Sequence, residues 1–530
     1  MVFYKDMKHQ EWLLPPNLEE IIPDNHICYF VDKIIDSMDF RPIEVKYEGP
    51  GHPAYHPRID TKLLIMGMVD GVRSSRKIAR NAKENVIYMF LAGKLTPDFR
   101  TISDFRKNNG KLIGICFKEI VRFAKGLGMV RLGHISIDGS KIKACASRDK
   151  TLTKDELSFI EEIIKNEVLD GINEDRIEDE IYGKDKDGYE LPDDIKLAEH
   201  IKRFIRKKIK EKKMETKNEE IIRHLAKDYV KGNEKKKKKI MNKINKAKNE
   251  MNKSNVDAIS LTDPESRFMK NQKNGIEHAY NPQITVDSEY GIIIANNVVQ
   301  TPDDTYQLIP QIEKSEENIG SKLPEGTEVS ADNGYYSVTN LGYLKDRGFD
   351  GYIPNQHITQ IMKGKKTIKK NPFGKENLEY NSENDEFICP NNKRITFRYE
   401  YFDKCKRGNI RIYMVDKHYC RKCEYYKQCV KNKKGIKIIK SYGFEKETRD
   451  MIKKFESDNG KEKYKTRAMV VECPFGDIKQ NMVLREFLVR GVTNVKTEFN
   501  LACIAHNLKR IWNVLAEKSL KIQTSAASSC

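Results

Sequence analysis

Long apolar runs are missing from this 530-residue chain. None reaches the ~18–20 residues that a membrane-spanning helix needs, which argues against a helical anchor in a bilayer. The amino terminus, Met1-Val2-Phe3-Tyr4-Lys5-Asp6, lacks the apolar segment of a secretory signal. The expectation is a cytoplasmic, reduced protein with no membrane partner. Disulfides are then unexpected, and the 11 cysteines read as metal ligands or core thiols. Acidic residues are in deficit: 78 Asp and Glu against 97 Lys and Arg leave a net charge of +19. Such a chain expects a polyanion, most simply nucleic acid, and hence a place at the nucleoid. A Lys- and Ile-rich source genome would raise Lys without any partner. Arg and Lys, however, cluster around the acidic positions singled out below.

Hydrophobic residues make up 38% of the chain and charged residues 33%, enough for a real core beside long polar stretches. The length suits about two to four domains. Residues 1 to about 130 read as helical, with Gly71 as a break. Ser74-Ser75-Arg76-Lys77-Ile78-Ala79-Arg80 has the look of a capped, basic helix start. A Pro-containing turn at Thr96-Pro97 precedes a second basic helix that carries Arg100 and Arg106. Helix, turn and basic helix make a helix-turn-helix reader, with Arg76, Lys77, Arg80, Arg100 and Arg106 as DNA contacts. The competing reading is an ordinary helical bundle with a solvated basic face.

From about 131 the apolar period changes to two. Residues 132–146 and 278–298 read as strands, as do 327–332 and 350–354, with helices expected over 303–318 and 338–347. This predicts a mixed α/β layer fold. Residues 150–255 are almost all charge and include Lys235 to Lys239, so they read as an inserted helical or partly disordered segment rather than core. A second insertion spans about 360–440, and helical pattern returns over 444–516. The terminal Thr524–Cys530 reads as a frayed tail.

Three acids stand out within this framework. Asp138 ends the strand-like run His134–Gly139, Asp332 ends Glu328–Asp332, and Glu472 lies in a basic helix. Asp-Gly and Asp-Asn-Gly are also ordinary turn signals, and a Glu on a basic helix is commonly a solvated partner. Three carboxylates converging from two strand ends and a helix would hold two Mg²⁺ (or Mn²⁺) ions for phosphodiester chemistry. On an ideal helix Tyr464, Arg467, Glu472 and Lys479 share an arc of about 140°. Arg467 and Lys479 would grip phosphates, with Tyr464 beside the strand end. Pro474 predicts a kink, or a helix ending near Cys473 and a new one starting at Pro474.

The blocks Ile137-Asp138-Gly139-Ser140-Lys141, Ala331-Asp332-Asn333-Gly334-Tyr335 and Tyr464/Arg467/Glu472/Lys479 resemble those of the bacterial DDE transposases of insertion sequences. The likeness is to the superfamily named for insertion sequence four, and there to its eleven-eighty-two group. The third block is similar to that superfamily's Tyr-x2-Arg-x3-Glu-x6-Lys signature, with four residues rather than three between Arg467 and Glu472. Ser75–Ala79 and Pro97–Arg106 resemble the group's N-terminal domain. The resemblance implies an RNase H-like core formed by residues 131–150, 275–358 and 440–516. It also implies a helical DNA-binding and dimerisation domain at 1–130, insertions at 151–274 and 359–439, and a flexible tail at 517–530. The implied activity is cleavage at element ends and joining of the freed 3′-OH to target DNA. The implied partners are duplex DNA, as terminal inverted repeats and target, and a second copy of the chain. A nuclease on the same fold and a domesticated, non-catalytic DNA-binding protein are the rival readings.

Cys389, then Cys420-x2-Cys423-x5-Cys429, supplies one thiol plus a cluster of three, which suffices for tetrahedral zinc; Cys405 and His418 are spare candidates. Unmetallated thiols are the alternative. Asp287 reads as a hairpin residue rather than a fourth ligand, Asp303 and Asp304 as N-cap and first-turn acids, and His134 and His278 as structural.

Overall fold

The computed structural model describes residues 17–45, 54–164, 193–212, 214, 216–271, 275–355, 358–359, 372–403, 408–441 and 445–527; for 193–200, 204, 271, 376, 408 and 518–527 it describes the backbone alone. The first nine strands are β1 (His134–Gly139), β2 (Ile142–Lys143), β3 (Thr151–Thr153), β4 (Ala258–Ser260), β5 (Arg267–Asn271), β6 (Gly275–Asp287), β7 (Ile292–Val299), β8 (Glu328–Ala331) and β9 (Asp350–Tyr352).

The central sheet runs β7-β6-β1-β8-β9, with β2 and β5 also paired to β6. β7, β6 and β1 are mutually antiparallel, whereas β1, β8 and β9 are parallel. Both faces of β6 and β7 are covered. Their residues are therefore a run of buried side chains, Ile284, Val286, Ile292, Ile293 and Ile294 among them, instead of an alternation. Gly291, with φ at +69°, closes the tight turn between the two strands.

Among the described residues, eight helices precede the sheet, from Leu18–Ile21 to Gly110–Gly126. They do not form a core of their own. Their buried residues, such as Leu63, Ile65, Ile113 and Ile120, belong to one cluster with Ile135, Val286 and Ile293 of the sheet and Phe499, Ile504 and Leu508 of the long helix Val492–Ala527. The join is polar as well as apolar. The Arg73 guanidinium donates to the carbonyls of Val483 and Glu486, both at 2.6 Å, and to the buried Glu498 carboxylate at 2.7 Å.

The charged insertion is helical, as expected, but it is not without a core. Leu152, Leu157, Ile160, Ile205, Ile222, Ile244, Met251 and Ile259 make a separate cluster under helices Lys154–Glu162, Asp193–Glu211, Glu219–Val230 and Glu234–Ser254, tied at its base by the β3–β4 pair. Sparse apolar residues at helical spacing suffice because each helix needs only one buried stripe. The second insertion is a five-stranded antiparallel meander, β10 (Glu379–Asn381), β11 (Glu386–Ile388), β12 (Arg394–Asp403), β13 (Gly408–Met414) and β14 (Ile438–Ser441). Its buried cluster is small: Leu378, Phe387, Ile395, Tyr413, Val415, Cys420 and Ile439.

At two helix ends an expected stop does not occur. Pro474 does not stop its helix, which runs Asp458–Gly476 and passes into a π-helical turn, Asp477–Asn481. At the carboxyl end, helix continues to Ala527 across most of the expected tail. Once started, a helix adds Ala and Ser residues at little cost.

Candidate active site

Parallel pairing sets the two aspartates side by side. Ile137 of β1 faces Ala331 of β8, so the next residues, Asp138 and Asp332, leave adjacent strands at matched register. Neighbouring strands lie about 4.8 Å apart. Asp138 accepts from the Gly139 N–H at 2.9 Å, and Asp332 accepts from the Gly334 N–H at 2.8 Å. Neither glycine adopts a left-handed conformation. Gly139 is needed for space, and Gly334 leaves little. A Cβ on Gly139 would come within 2.1 Å of Gln283 Nε2 and 2.9 Å of Asp304 Oδ1, and one on Gly334 within 3.0 Å of Asp332 Oδ1. The Asp-Gly and Asp-Asn-Gly pairs thus reflect close approach of the site's own polar groups.

Asp304 is the neighbour that both glycines admit. Its local sequence predicts a cap on the following helix, but that helix begins at Leu308 after Gln307, with no side-chain cap. The Asp304 carboxylate is taken up elsewhere: Oδ2 accepts from Lys141 Nζ at 2.8 Å, and Oδ1 from Asn281 Nδ2 at 2.6 Å and Gln283 Nε2 at 2.7 Å. Gln283 in turn accepts from the buried Tyr335 hydroxyl. Sequence reasoning misses Asp304, Lys141, Asn281 and Gln283 as site residues. A signal for them exists: Asn281, Gln283, Thr285 and Asp287 form a buried polar stripe of period two along β6.

The helix Asp458–Gly476 packs on β1, β6 and β8. It places Arg467 Nη1 3.6 Å from Asp138 Oδ2, with the side chain only 13% exposed. At that separation it forms an ion pair but no hydrogen bond, and Nε and Nη1 of Arg467 have no acceptor. Tyr464 lies under the guanidinium, 5.4 Å from ring centre to Cζ. Burial pushes the Asp138 carboxyl up to about 7, with Arg467 pulling it down and Asp332 pushing it further up. Asp332 is raised mainly by burial, opposed by the Gly334 N–H and Arg467. Lys479 reaches the same rim, donating to Ser140 Oγ at 2.6 Å.

Glu472 is not brought into this cluster. It is exposed on the Arg467 helix, and no hydrogen bond or ion pair engages it among the described residues. Among the described residues, no three His, Cys, Asp or Glu side chains are gathered closely enough to hold a metal ion as they stand.

The remaining predicted positions divide clearly. Arg76, Lys77, Arg80 and Arg100 are exposed, with Arg76 stacked over Phe99 at 4.8 Å. Arg106 is a correction. It is 8% exposed and donates to the Arg73 carbonyl at 3.3 Å, because it shares a helix face with buried Ile102. Asp287 accepts from the N–H groups of Leu132 and Glu289, at 2.8 and 3.1 Å, and so holds the β6–β7 turn as expected. His134 bonds to Ser330 and His278 stacks on Phe268, both in structural roles.

Cys389, Cys420, Cys423 and Cys429 line one cavity of about 30 Å³ at the foot of the meander. Three of the sulfurs accept N–H groups: Cys389 from Lys393 at 3.3 Å, Cys420 from Lys437 at 3.4 Å, and Cys423 from the Asn391 amide at 3.6 Å. Cys405 lies outside the described residues, and His418 does not line the cavity.

Two family models match the chain. One, described as a transposase DDE domain, covers residues 388–512, from the cysteine cavity through Tyr464, Arg467, Glu472 and Lys479. The other, a transposase domain (DUF772), covers residues 16–108. Asp138 and Asp332 lie outside both matches. No curated protein and no solved structure matches the chain. The two family matches indicate a transposase of the DDE type.

Proposed function

We propose that the chain is the DNA transposase of an insertion sequence, which cuts a phosphodiester at each element end and joins the freed 3′-OH to target DNA. The observation that carries the reading is the register-matched pair Asp138 and Asp332 beneath a helix that bears both Arg467 and Glu472. The strand order β7-β6-β1-β8-β9, antiparallel then parallel, supports an RNase H-like core.

The donor chemistry suits a pair of Mg²⁺ or Mn²⁺ ions, since two adjacent, half-buried carboxylates, both held above their ordinary range, favour a hard cation between them. Asp138 and Asp332, with Glu472 turned inward, would hold them. Bound there, the ions would ease formation of the attacking oxyanion and steady the leaving oxygen. The chain's own residues do the rest. Arg467, with two buried N–H groups lacking acceptors, seats a phosphate oxygen. Lys141, fixed by Asp304, and Lys479, beside Ser140, add positive charge for the same phosphate. Arg76, Lys77, Arg80 and Arg100 are the exposed contacts for DNA further out. A homodimer would bring two such sites to the paired element ends.

Cys389, Cys420, Cys423 and Cys429 line one cavity and would have to close further on one point to hold a structural Zn²⁺. Burial pushes the Cys420 and Cys429 thiols up, which a bound Zn²⁺ would offset by stabilising the thiolates, and a meander with so small an apolar cluster gains from a metal staple.

The deciding experiment incubates purified protein with a duplex bearing the element's inverted repeats and a supercoiled plasmid in Mg²⁺. Cleaved ends covalently joined to plasmid are expected. Cleavage without joining would reduce the reading to a nuclease.

A further inference from the structure

Beside the candidate site, a cleft of about 580 Å³ lies between the end of β2, the start of the charged insertion and the loop before helix Val492–Ala527. Lys143, Arg148, Lys150 and Arg490 line it. The chain links it to the site through β2. Lys143 stands two residues from Lys141, a span of about 7 Å along extended chain. Its acids are Glu277 and Glu486, and both act on Lys143: Glu486 accepts from it at 2.9 Å, and both hold its ammonium above the ordinary range. Asp149 neighbours Ser147. No ion pair engages Arg148, Lys150 or Arg490 among the described residues. Arg490 is held in place through its Nε, which donates to the Cys145 carbonyl at 3.3 Å.

The insertion extends this surplus of cations. On helix Glu234–Ser254, Lys239, Lys243 and Lys246 share one face, and no acid is paired with them among the described residues. Lys243 is pushed below its ordinary range by burial and then by Lys150, Arg490 and Lys239, so cations from three separate elements converge there. The one carboxylate further along that face, Glu250, is already committed to Arg267, at 2.5 Å. Arg267 belongs to β5 of the central sheet, so the same bond fixes the helix against the catalytic body. Ionic repulsion of this kind is retained in a fold at a cost, and a polyanion relieves it.

We propose that the cleft and the Lys239/Lys243/Lys246 face form a track for the phosphate backbone of duplex DNA that continues outward from the candidate active site. This rests on the transposase reading above and gives the charged insertion a role: it extends the grip on DNA beyond the exposed arginines of the N-terminal helices. From Lys239 to Lys246 the helix rises about 10 Å, and the cleft adds its own width, so the track spans several phosphates.

The test compares full-length wild type with the double variant Lys150→Gln/Lys243→Gln, whose two side chains pair with no acid among the described residues, so the fold should hold; a thermal melt verifies this. A charge-matched control, Lys210→Gln/Lys238→Gln, removes two exposed lysines that do not line the cleft. Binding to a 40-base-pair duplex of arbitrary sequence is measured from 50 to 200 mM salt. The double variant should bind roughly ten-fold more weakly, and its salt slope should fall by about 1.8, or 0.9 for each phosphate no longer neutralised. The control should lose clearly less. If the double variant matches the wild type or the control, the track is wrong while the transposase reading stands. Loss confined to single-stranded RNA of the same length also overturns it. A wild type that binds no duplex at 50 mM salt overturns both readings.

Discussion

The Arg467 guanidinium stops 3.6 Å from the Asp138 carboxylate, and two of its buried N–H groups are left without an acceptor. A buried donor without a partner costs about 1–3 kcal/mol, so the arrangement persists for something other than stability. A phosphate seated against the guanidinium would give one of them an acceptor, since Nε–H and Nη1–H diverge and cannot share a single oxygen. Arg467→Ala should slow single-turnover cleavage of an element-end duplex about 10²–10³-fold with little change in Kd, since the contact matters most as charge develops. Arg467→Lys should recover only a small part, because an ammonium cannot make the paired contact. Near-normal cleavage by the alanine variant would remove Arg467 from the reaction.

The third acid is the position on which sequence and geometry part. Glu472 carries the resemblance but is exposed, whereas Asp304 lies among Lys141, Asn281 and Gln283 next to both aspartates. Asp138→Ala, Asp332→Ala and Glu472→Gln should each cut cleavage at least about 10²-fold while leaving duplex binding nearly intact. Asp304→Asn should be milder, since it loosens Lys141 rather than removing a ligand. If Glu472→Gln cleaves like wild type and Asp304→Asn does not, the third acid is Asp304.

The strands that carry the aspartates are readable because buried β-branched runs differ sharply from the helices around them; β1, β6, β7, β8 and β9 all fall where period and composition put them. The surroundings of the site are not. Asp304 has the local signature of a helix cap, and only its distant partners on β6 and at Lys141 divert it. Arg106 fits a basic recognition helix until the fold turns its face inward against Arg73. The boundary at residue 130 marks a change of period, yet the hydrophobic cluster runs through it. In each case tertiary contacts far apart in sequence decide what local pattern leaves open.

For the cysteine cavity, metal analysis of freshly purified protein should find about one Zn²⁺ per chain. Cys420→Ser with Cys423→Ser should abolish that signal and raise protease sensitivity over residues 385–435, with the main melting transition unchanged. Wild-type protein free of zinc after mild purification would rule out the site.

On the N-terminal helices, charge reversal at Arg76, Lys77 and Arg80 should weaken binding to element ends more than to random duplex if these helices read sequence. Equal weakening of both would make them phosphate contacts alone.

Asp60 gives a pH dependence that can be assigned to one group. It is 2% exposed on helix Pro57–Val69, and its Oδ1 has no hydrogen-bond partner. Burial alone pushes its carboxyl from 3.8 up to about 7. Nearby Lys62 gives no relief, since it pairs with Asp32 and Asp36 at 2.6 and 2.7 Å. The folded chain therefore holds this proton more tightly than the unfolded chain. The group's contribution to stability is fully present below about pH 4 and is lost as pH rises to about 7. Asp60→Asn removes the titration. Relative to wild type it should gain roughly 1–3 kcal/mol between pH 5 and pH 8, read from denaturant midpoints at the two pH values. Midpoints that move in parallel for the two proteins would show that Asp60 does not carry this proton.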